Sequence, residues 1–163
     1  MVVLKNVLVG TDFGEPASVA LAYGRDLCRQ YGAVLHLLFV VDDQTARYAN
    51  VEPVITVEDQ REIERAAETR LNALLTDEDL AQLNARAIVR SSLSPAQAIG
   101  DYARANAIDL IIVGTQGRGG VAHLLMGSVA ERVVRIAPCP VLTVRYPERD
   151  FIAPDALTTV TGA

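Results

Sequence analysis

The sequence predicts a single α/β domain built on a doubly wound, five-stranded parallel sheet. Short aliphatic runs alternate with helical segments along most of the 163 residues, and this alternation is typical of helix-covered parallel sheets. Hydrophobic residues make up 50% of the chain and aromatic residues only 5%, an aliphatic bias that suits strands buried on both faces. We therefore expect one domain with a sizeable core.

Five short runs rich in Val, Leu and Ile predict the strands: residues 2–9, 33–41, 85–90, 109–113 and 141–144. Four segments with apolar residues at helical spacing predict the helices: residues 16–31, 57–75, 95–106 and 126–136. The third run alternates apolar and polar residues, as expected near a sheet edge. Residues 47–56 show no periodicity and contain Pro53, so we expect a loop there.

Start and stop signals support these helices. Gly32 is expected to end the first helix. Ser94 and Gln97 predict a capping box before the third helix, and Pro95 suits its first helical position. No pattern follows Pro147, so we expect residues 1–146 to form the domain and residues 147–163 a C-terminal tail.

Composition and charge argue against several classes of protein, although a local basic patch stays compatible with the negative net charge. The formal net charge is −5, whereas nucleic-acid binding requires a cationic face. The longest apolar stretch, residues 33–41, is less than half of the roughly 20 residues that span a membrane. Residues 1–10 do not resemble a signal peptide, and Cys28 and Cys139 are too few for a disulfide scaffold. We therefore expect a cytoplasmic protein with two free thiols.

The strand order is predicted from the connections. Right-handed crossovers favour the order 3-2-1-4-5, with four helices covering the sheet in a Rossmann-like arrangement. In such a sheet, ligands bind at the carboxyl ends of the strands where the direction of winding reverses. The functional crevice is therefore expected between strands 1 and 4.

Both of these strand ends carry unusual residues. Strand 1 leads into Thr11 and Asp12, and strand 4 leads into residues 114–120, which contain four glycines in seven positions. Gly127 and Ser128 then open the last helix. Glycines let the backbone approach a ligand closely, and the free N–H groups of a helix N-terminus attract phosphate. The alternative is a flexible glycine-rich turn followed by a serine helix cap.

Other phosphate-binding motifs fit poorly. The Walker motif needs a lysine directly before the serine, but Gly127 occupies that place and Lys5 is the only lysine in the chain. The dinucleotide fingerprint belongs after strand 1, where residues 12–14 contain too little glycine.

The spacing Gly114-x2-Gly117-x9-Gly127-Ser128 resembles the nucleotide signature of the ATP-binding branch of the universal stress protein family. Further stretches are similar to the family's first strand, second strand end and last strand: residues 6–12, 39–42 and 138–144. The resemblance covers about residues 3–145, and its motifs fall in the family's order on the expected elements.

The resemblance also implies roles for individual residues. Thr11 and Asp12 match positions at the adenosine end of the nucleotide, and Val40 matches the residue whose backbone meets adenine. The positions that match those around the ribose and phosphates are Gly114, Gly117, Gly127 and Ser128, and Val129 is expected to add a main-chain amide. The implied cofactor is ATP with magnesium or manganese bound through the phosphates, and Asp12 is the candidate metal ligand; the alternative for Asp12 is a turn-forming residue.

Several other polar residues have simpler explanations. Arg118 and His123 lie between the glycines, where each either contacts a terminal phosphate or is a solvated surface side chain. His36 lies within a buried strand and is expected to be a hydrogen-bonded structural residue. Asp42 and Asp43 are expected to form a surface turn. The charged helix over residues 58–70 is interpreted as a solvated face with ion pairs.

Three functions are compatible with these residues. The first is a stress-response regulatory protein that binds ATP, hydrolyses it slowly or not at all, and signals to an unknown partner protein. Fast phosphoryl transfer needs electrostatic stabilisation and a positioned nucleophile. The glycine-rich loop offers main-chain amides and one arginine, which favours ATP binding over ATP turnover. No catalytic residue is therefore assigned. The alternatives are a slow ATPase and a cyclic-AMP-binding member of the same family.

The last strand, residues 141–144, is apolar and lies at a predicted sheet edge. A bare edge invites pairing with another chain. The family resemblance likewise implies a homodimer through this strand.

Overall fold

A computed structural model describes residues 1–52, 55–115 and 127–146. The strands of this part of the chain are β1 (Asn6–Thr11), β2 (Val34–Val41), β3 (Arg86–Ser91), β4 (Leu110–Gly114) and β5 (Val141–Val144). The helices are α1 (Glu15–Tyr31), α2 (Gln44–Arg47), α3 (Val57–Asn72), α4 (Asp77–Gln82), α5 (Pro95–Ala105) and α6 (Ser128–Ile136). All strand pairs are parallel and the order is β3-β2-β1-β4-β5, which confirms the predicted fold class and strand order.

Helices cover both faces of the sheet. Val7 and Val9 of β1 pack in the layer that contains α1 and α3, whereas Leu8 between them packs in the layer of α5 and α6. All three side chains are fully buried, which explains why the central strands are continuous aliphatic runs. A ligand can therefore approach the central strands only at their ends.

Gly32 and Pro95 mark helix boundaries as predicted, whereas α3 ends at Asn72 rather than at residue 75 and the predicted cap of α5 is absent. Gly32 ends α1 in the left-handed conformation (φ 66°). The expected capping box before α5 is wrong, because the Ser94 side chain makes no capping hydrogen bond and Gln97 donates to Asp101 instead (3.0 Å). The physical reason is Ser92, whose Oγ already accepts from the Ser94 N–H (3.0 Å).

The short helices α2 and α4 were not predicted, because elements of four and six residues show no clear periodicity. In α4, Thr76 Oγ1 accepts from the Asp79 N–H and the Asp79 carboxylate accepts from the Thr76 N–H. Arg25 of α1 also donates to the fully buried Asp79 carboxylate (2.7 Å) and to the Leu74 carbonyl (2.7 Å). Tertiary contacts therefore hold this helix in place.

The first strand is shorter than expected. It begins at Asn6 rather than at residue 2, and the residues Val2 and Val3 are 64% and 59% exposed. The described residues include no helix long and apolar enough to cross a membrane. The predicted tail, residues 147–163, lies outside the described part of the chain.

Candidate functional site

A cleft of about 200 Å³ opens at the carboxyl ends of β1, β2 and β4, between the N-terminal turns of α5 and α6. It lies where the strand order reverses, at the place that the sequence predicts for a ligand. The sequence-predicted site residues that line it are Thr11, Asp12, Val40, Gly114, Gly127, Ser128 and Val129. Gly117, Arg118 and His123 lie outside the described residues.

The turn between β1 and α1 is shaped by its own side chains. Thr11 Oγ1 accepts a hydrogen bond from the Phe13 N–H (3.0 Å). Asp12 Oδ1 accepts from the Gly14 N–H (2.9 Å), which is the arrangement of an Asx turn. Asp12 is thus a turn-forming residue and also the one charged side chain among the described residues that line the cleft.

Val40 presents its main chain at the wall of the cleft. Val34 N–H donates to the Lys5 carbonyl (2.8 Å), so every second residue of β2, including Val40, directs its main chain towards β1. If the pairing of β1 and β2 continued, the next hydrogen bond would join the Val40 carbonyl to the Phe13 N–H. However, β1 ends at Thr11 and the Phe13 N–H donates to Thr11 Oγ1. The Val40 carbonyl therefore lies beyond the end of the ladder, where it can accept from a ligand N–H.

Gly114 lets α1 begin directly against the end of β4. A Cβ atom at this position would lie 2.8 Å from Pro16 Cβ and 3.0 Å from the Pro16 carbonyl carbon. These contacts are shorter than van der Waals distances, so any side chain here would separate two elements that line the cleft. The glycine has a packing role whatever ligand the cleft holds.

The N-terminus of α6 faces the cleft. Gly127 is its N-cap and provides no side-chain capping bond, while the Gly127 N–H donates to the Thr115 carbonyl. Ser128 is the first residue of the helix rather than its cap, so the alternative reading of this serine as a cap is wrong. The first N–H groups of an α-helix lack partners within the helix, and residues 128–130, which carry three of these groups, belong to the cleft lining. This end of α6 is suited to an anion.

The other titratable candidates are structural. His36 is 2% exposed, and its Nδ1 and Nε2 lie 2.8 Å from the Tyr102 hydroxyl and 3.3 Å from Asn6 Oδ1. Burial, together with the positive charge of Arg86, lowers the pKa of His36 to about 4. The neutral imidazole is therefore a core hydrogen-bonding group, as the sequence predicts.

The turn after β2 and the two cysteines also match expectation. Asp43 caps α2 by accepting from the Ala46 N–H (3.0 Å), and Asp42 pairs with Arg47 (2.7 Å) on the surface. Cys28 and Cys139 are both free. Burial raises the pKa of the Cys28 thiol to about 12, so this cysteine is a core residue without thiolate reactivity.

Sequence reasoning missed one group of residues beside the cleft. The guanidinium of Arg70, on the helix interpreted as a solvated face, lies 4.0 Å from the centre of the Phe13 ring. The Phe13 ring lies 4.6 Å from that of Phe39, and Phe39 lines the cleft. These residues are far apart in sequence and follow no motif, so only the folded structure could bring them together.

Comparison with known proteins agrees with the fold. The model of the universal stress protein family matches residues 4–145. A universal stress protein of Thermus aquaticus is 34% identical over 148 residues, which cover 86% of this chain and 98% of that protein. The solved structure of UspA from Lactobacillus plantarum has a TM-score of 0.67 at 24% identity, covering 89% of this chain and 100% of that chain.

Two further solved structures contain nucleotides. One is a universal stress protein in complex with cAMP (TM-score 0.58, 24% identity, 88% of this chain and 98% of that chain). The other is the universal stress protein from Archaeoglobus fulgidus in complex with dAMP (TM-score 0.56, 17% identity, 88% of this chain and 99% of that chain). Because the family model matches residues 4–145, which are most of the chain, this chain belongs to the universal stress protein family.

Proposed function

We propose that this protein binds ATP in the cleft between β1 and β4 and acts as a stress-response regulator. One observation carries the proposal: the Val40 carbonyl and the uncapped N-terminus of α6 belong to the same cleft. A carbonyl accepts a hydrogen bond from the amino group of adenine, and a helix N-terminus attracts phosphate. The cAMP and dAMP complexes of related folds support an adenine nucleotide as the ligand class.

Magnesium or manganese is proposed to bind together with the nucleotide. No group of three His, Cys, Asp or Glu side chains that could hold a metal occurs among the described residues. Mg²⁺ is commonly held by one or two carboxylates together with substrate phosphates, and Asp12 supplies one carboxylate at the cleft. Asp12→Asn tests this role, because an asparagine oxygen still accepts from the Gly14 N–H. We expect this variant to bind ATP but to lose the gain in affinity from Mg²⁺.

Slow or absent hydrolysis is part of the proposal. Rapid phosphoryl transfer needs charge stabilisation at the phosphates and a positioned nucleophile. The described lining offers main-chain amides, the hydroxyls of Thr11 and Ser128, and one carboxylate, with no cationic side chain. The same adenosine contacts also suit cyclic AMP, which a related structure contains. Binding of cyclic AMP is therefore the second candidate function, and slow ATP turnover is a variant of the first. The proposed setting is the cytoplasm, with a regulatory partner protein downstream.

The test is a calorimetric titration with ATP, with and without Mg²⁺, and with cyclic AMP as competitor. We expect ATP to bind with higher affinity in the presence of Mg²⁺ and cyclic AMP to compete weakly. Preferential binding of cyclic AMP would instead support the second candidate. If nucleotide-free protein binds neither ligand, the proposal is refuted.

A substitution at Gly127 locates the binding site. The backbone angles of Gly127 (φ −66°, ψ 149°) are allowed for any residue, so Gly127→Val should fold normally. The added side chain would stand at the phosphate end of the cleft, and we expect ATP binding to be lost. Arg135→Val places the same side chain on the solvent side of the last turn of α6 and should bind like the wild type. Normal ATP affinity in folded Gly127→Val would place the ligand elsewhere.

We also propose that the protein forms a homodimer through β5. Ile111 and Thr115 donate to the Pro140 and Val144 carbonyls (3.0 and 2.8 Å), so alternate β5 residues direct their main chain towards β4. The N–H and C=O groups of Val141 and Thr143 therefore point away from the sheet. An apolar edge with outward main-chain groups favours pairing with a second chain.

The opposite edge of the sheet is protected. Arg86 and Arg90 of β3 are exposed, and Arg90 Nη1 donates to the Val89 carbonyl (3.0 Å). Charged side chains on an edge strand disfavour pairing with another strand. This asymmetry favours β5 as the dimer edge.

A proline substitution distinguishes the two sides of β5. Thr143→Pro removes an outward N–H and leaves the hydrogen bonds to β4 in place, so we expect a folded monomer by size-exclusion light scattering. Leu142→Pro removes an N–H that faces β4 and should destabilise the fold itself. A dimer that persists in Thr143→Pro would rule out main-chain pairing through this strand.

A further inference from the structure

Phe13 adopts a backbone conformation that needs support. Its φ angle of 65° lies in the left-handed region, which is unfavourable for a bulky side chain. Within the turn, its N–H donates to Thr11 Oγ1 and the neighbouring Gly14 N–H donates to Asp12. These bonds hold the main chain, but the position of the aromatic ring depends on contacts from outside the turn.

Arg70 supplies one of these contacts. Its guanidinium lies over the Phe13 ring at 4.0 Å from the ring centre, within the range of a cation–π interaction. Among the described residues, Arg70 has no carboxylate within ion-pair distance, whereas Arg61 and Arg65 of the same helix both pair with Glu58. Arg70 is thus engaged with the ring rather than with the charged surface of α3.

The other side of the ring leads to the cleft. Phe13 contacts Phe39 with ring centres 4.6 Å apart, and Phe39 is the register partner of Thr11 in the β1–β2 pair. Thr11, Asp12 and Phe39 all line the cleft. A displacement of the Phe13 ring would therefore be transmitted to residues that the proposed ligand contacts.

The helix that carries Arg70 is itself fixed near this edge of the sheet. Gln60 of α3 is 6% exposed; its Oε1 accepts from the Gln44 N–H (3.1 Å), and its Nε2 donates to the Asp42 carbonyl (3.2 Å). The Gln60 Nε2 also donates to Ser91 Oγ at the end of β3 (3.1 Å). Gln60 anchors the first turn of α3, and the last turn is anchored by Leu71, which follows Arg70 and is fully buried. Arg70 therefore projects from a helix that is fixed at both ends.

We propose that Arg70 is a positioning residue for the nucleotide cleft, acting through the Phe13 ring on the turn that carries Thr11 and Asp12. The inference rests on the proposed function for the identity of the ligand. Arg70 itself does not contact the nucleotide in the proposed arrangement. Because a cation–π contact at an exposed site is a weak interaction, its loss should weaken ATP binding by about two- to five-fold.

The experiment combines a double-mutant cycle with a measurement on the ligand-free protein. Arg70→Gln and Phe13→Leu are made singly and together, with Arg61→Gln as the matched control on α3 and Arg70→Lys to retain the cation. ATP affinity is measured by calorimetry. Amide chemical shifts of Asp12, Phe13 and Gly14 are measured by NMR without nucleotide.

We expect Arg70→Gln to move these amide resonances and to weaken ATP binding, and Arg61→Gln to do neither. In the Phe13→Leu background, Arg70→Gln should add no further loss of affinity, and Arg70→Lys should recover part of the binding. An equal loss in both backgrounds would place the guanidinium on the ligand itself and overturn the inference.

The ligand-free measurement separates this inference from the proposed function. If the wild type binds no adenine nucleotide, the proposed function fails, while shifted resonances in Arg70→Gln would still support Arg70 as the residue that positions the turn. Unchanged resonances in Arg70→Gln would overturn the positioning role whether or not ATP binds.

Discussion

Protonation of His36 should make the stability of this domain fall between pH 6.5 and about pH 4. The imidazole is buried against Tyr102 of α5 and Asn6 of β1, and Arg86 on the neighbouring strand contributes positive charge. Both burial and this charge disfavour the imidazolium, which has no acidic partner in the contacts described. The informative perturbation is His36→Gln, which keeps an uncharged polar side chain and removes the titration.

The size of the effect follows from the pKa of His36 in the two states. The ordinary pKa of 6.5 applies to the unfolded chain, and the value in the folded protein is about 4. At about 1.36 kcal/mol per pKa unit, this difference corresponds to about 3 kcal/mol. Above pH 6.5 the stability of the domain is not reduced by this effect, because His36 is neutral in both the folded and the unfolded state. As the pH falls, the unfolded chain takes up a proton that the folded protein does not, so stability is lost until about pH 4.

The assay is urea unfolding of the wild type and of His36→Gln at several pH values between 7 and 4. We expect the wild type to lose about 3 kcal/mol more than the variant over this range, which corresponds to about 6–12 °C in Tm for a domain of this size. Carboxylates titrate in both proteins and cancel in the difference. Parallel stability profiles for the two proteins would refute the assignment of a buried neutral imidazole.

Two further predictions concern packing and the buried ion pair. In thermal unfolding, Gly114→Ala should cost about 1–3 kcal/mol and should also weaken ATP binding, because its Cβ would lie 2.8 Å from Pro16 Cβ. Gly100→Ala, whose Cβ would have no contact shorter than 3.5 Å, should be neutral or stabilising in the same measurement. Arg25→Leu should cost about 3–5 kcal/mol in urea unfolding by leaving the buried Asp79 carboxylate unpaired. Replacing both Arg25 and Asp79 by leucine should cost less than Arg25→Leu alone, and a larger loss in the double variant would contradict the reasoning.

The sequence predicts the sheet and the position of the cleft because both depend on patterns that are local or follow general rules. Alternating strands and helices, with right-handed crossovers, predict the order in which β1 and β4 lie side by side. The end of β4 at Gly114 and the start of α6 after Gly127 are then brought to one edge. These features can be predicted without knowing which side chains contact each other in the folded protein.

The features that the sequence does not predict depend on contacts between residues that are distant in the chain. The helix α4 is held by Arg25 from α1, and the expected cap at Ser94 is displaced because Ser92 takes its N–H. The left-handed conformation of Phe13 and its contact with Arg70 have no local sequence signal. Competition for a hydrogen bond and pairing across helices are decided only when the tertiary structure forms.

The proposed site is made largely of main-chain groups, and this has a consequence for its evolution. The Val40 carbonyl is available because β1 stops at Thr11, and the amides at the start of α6 are available because Gly127 has no side chain to cap them. Such groups depend on where strands and helices end, so most surface side chains can change without altering the proposed recognition of adenine and phosphate. Side chains that hold the turns, such as Phe13 with Arg70, are then the positions where a substitution can tune affinity without removing a ligand contact.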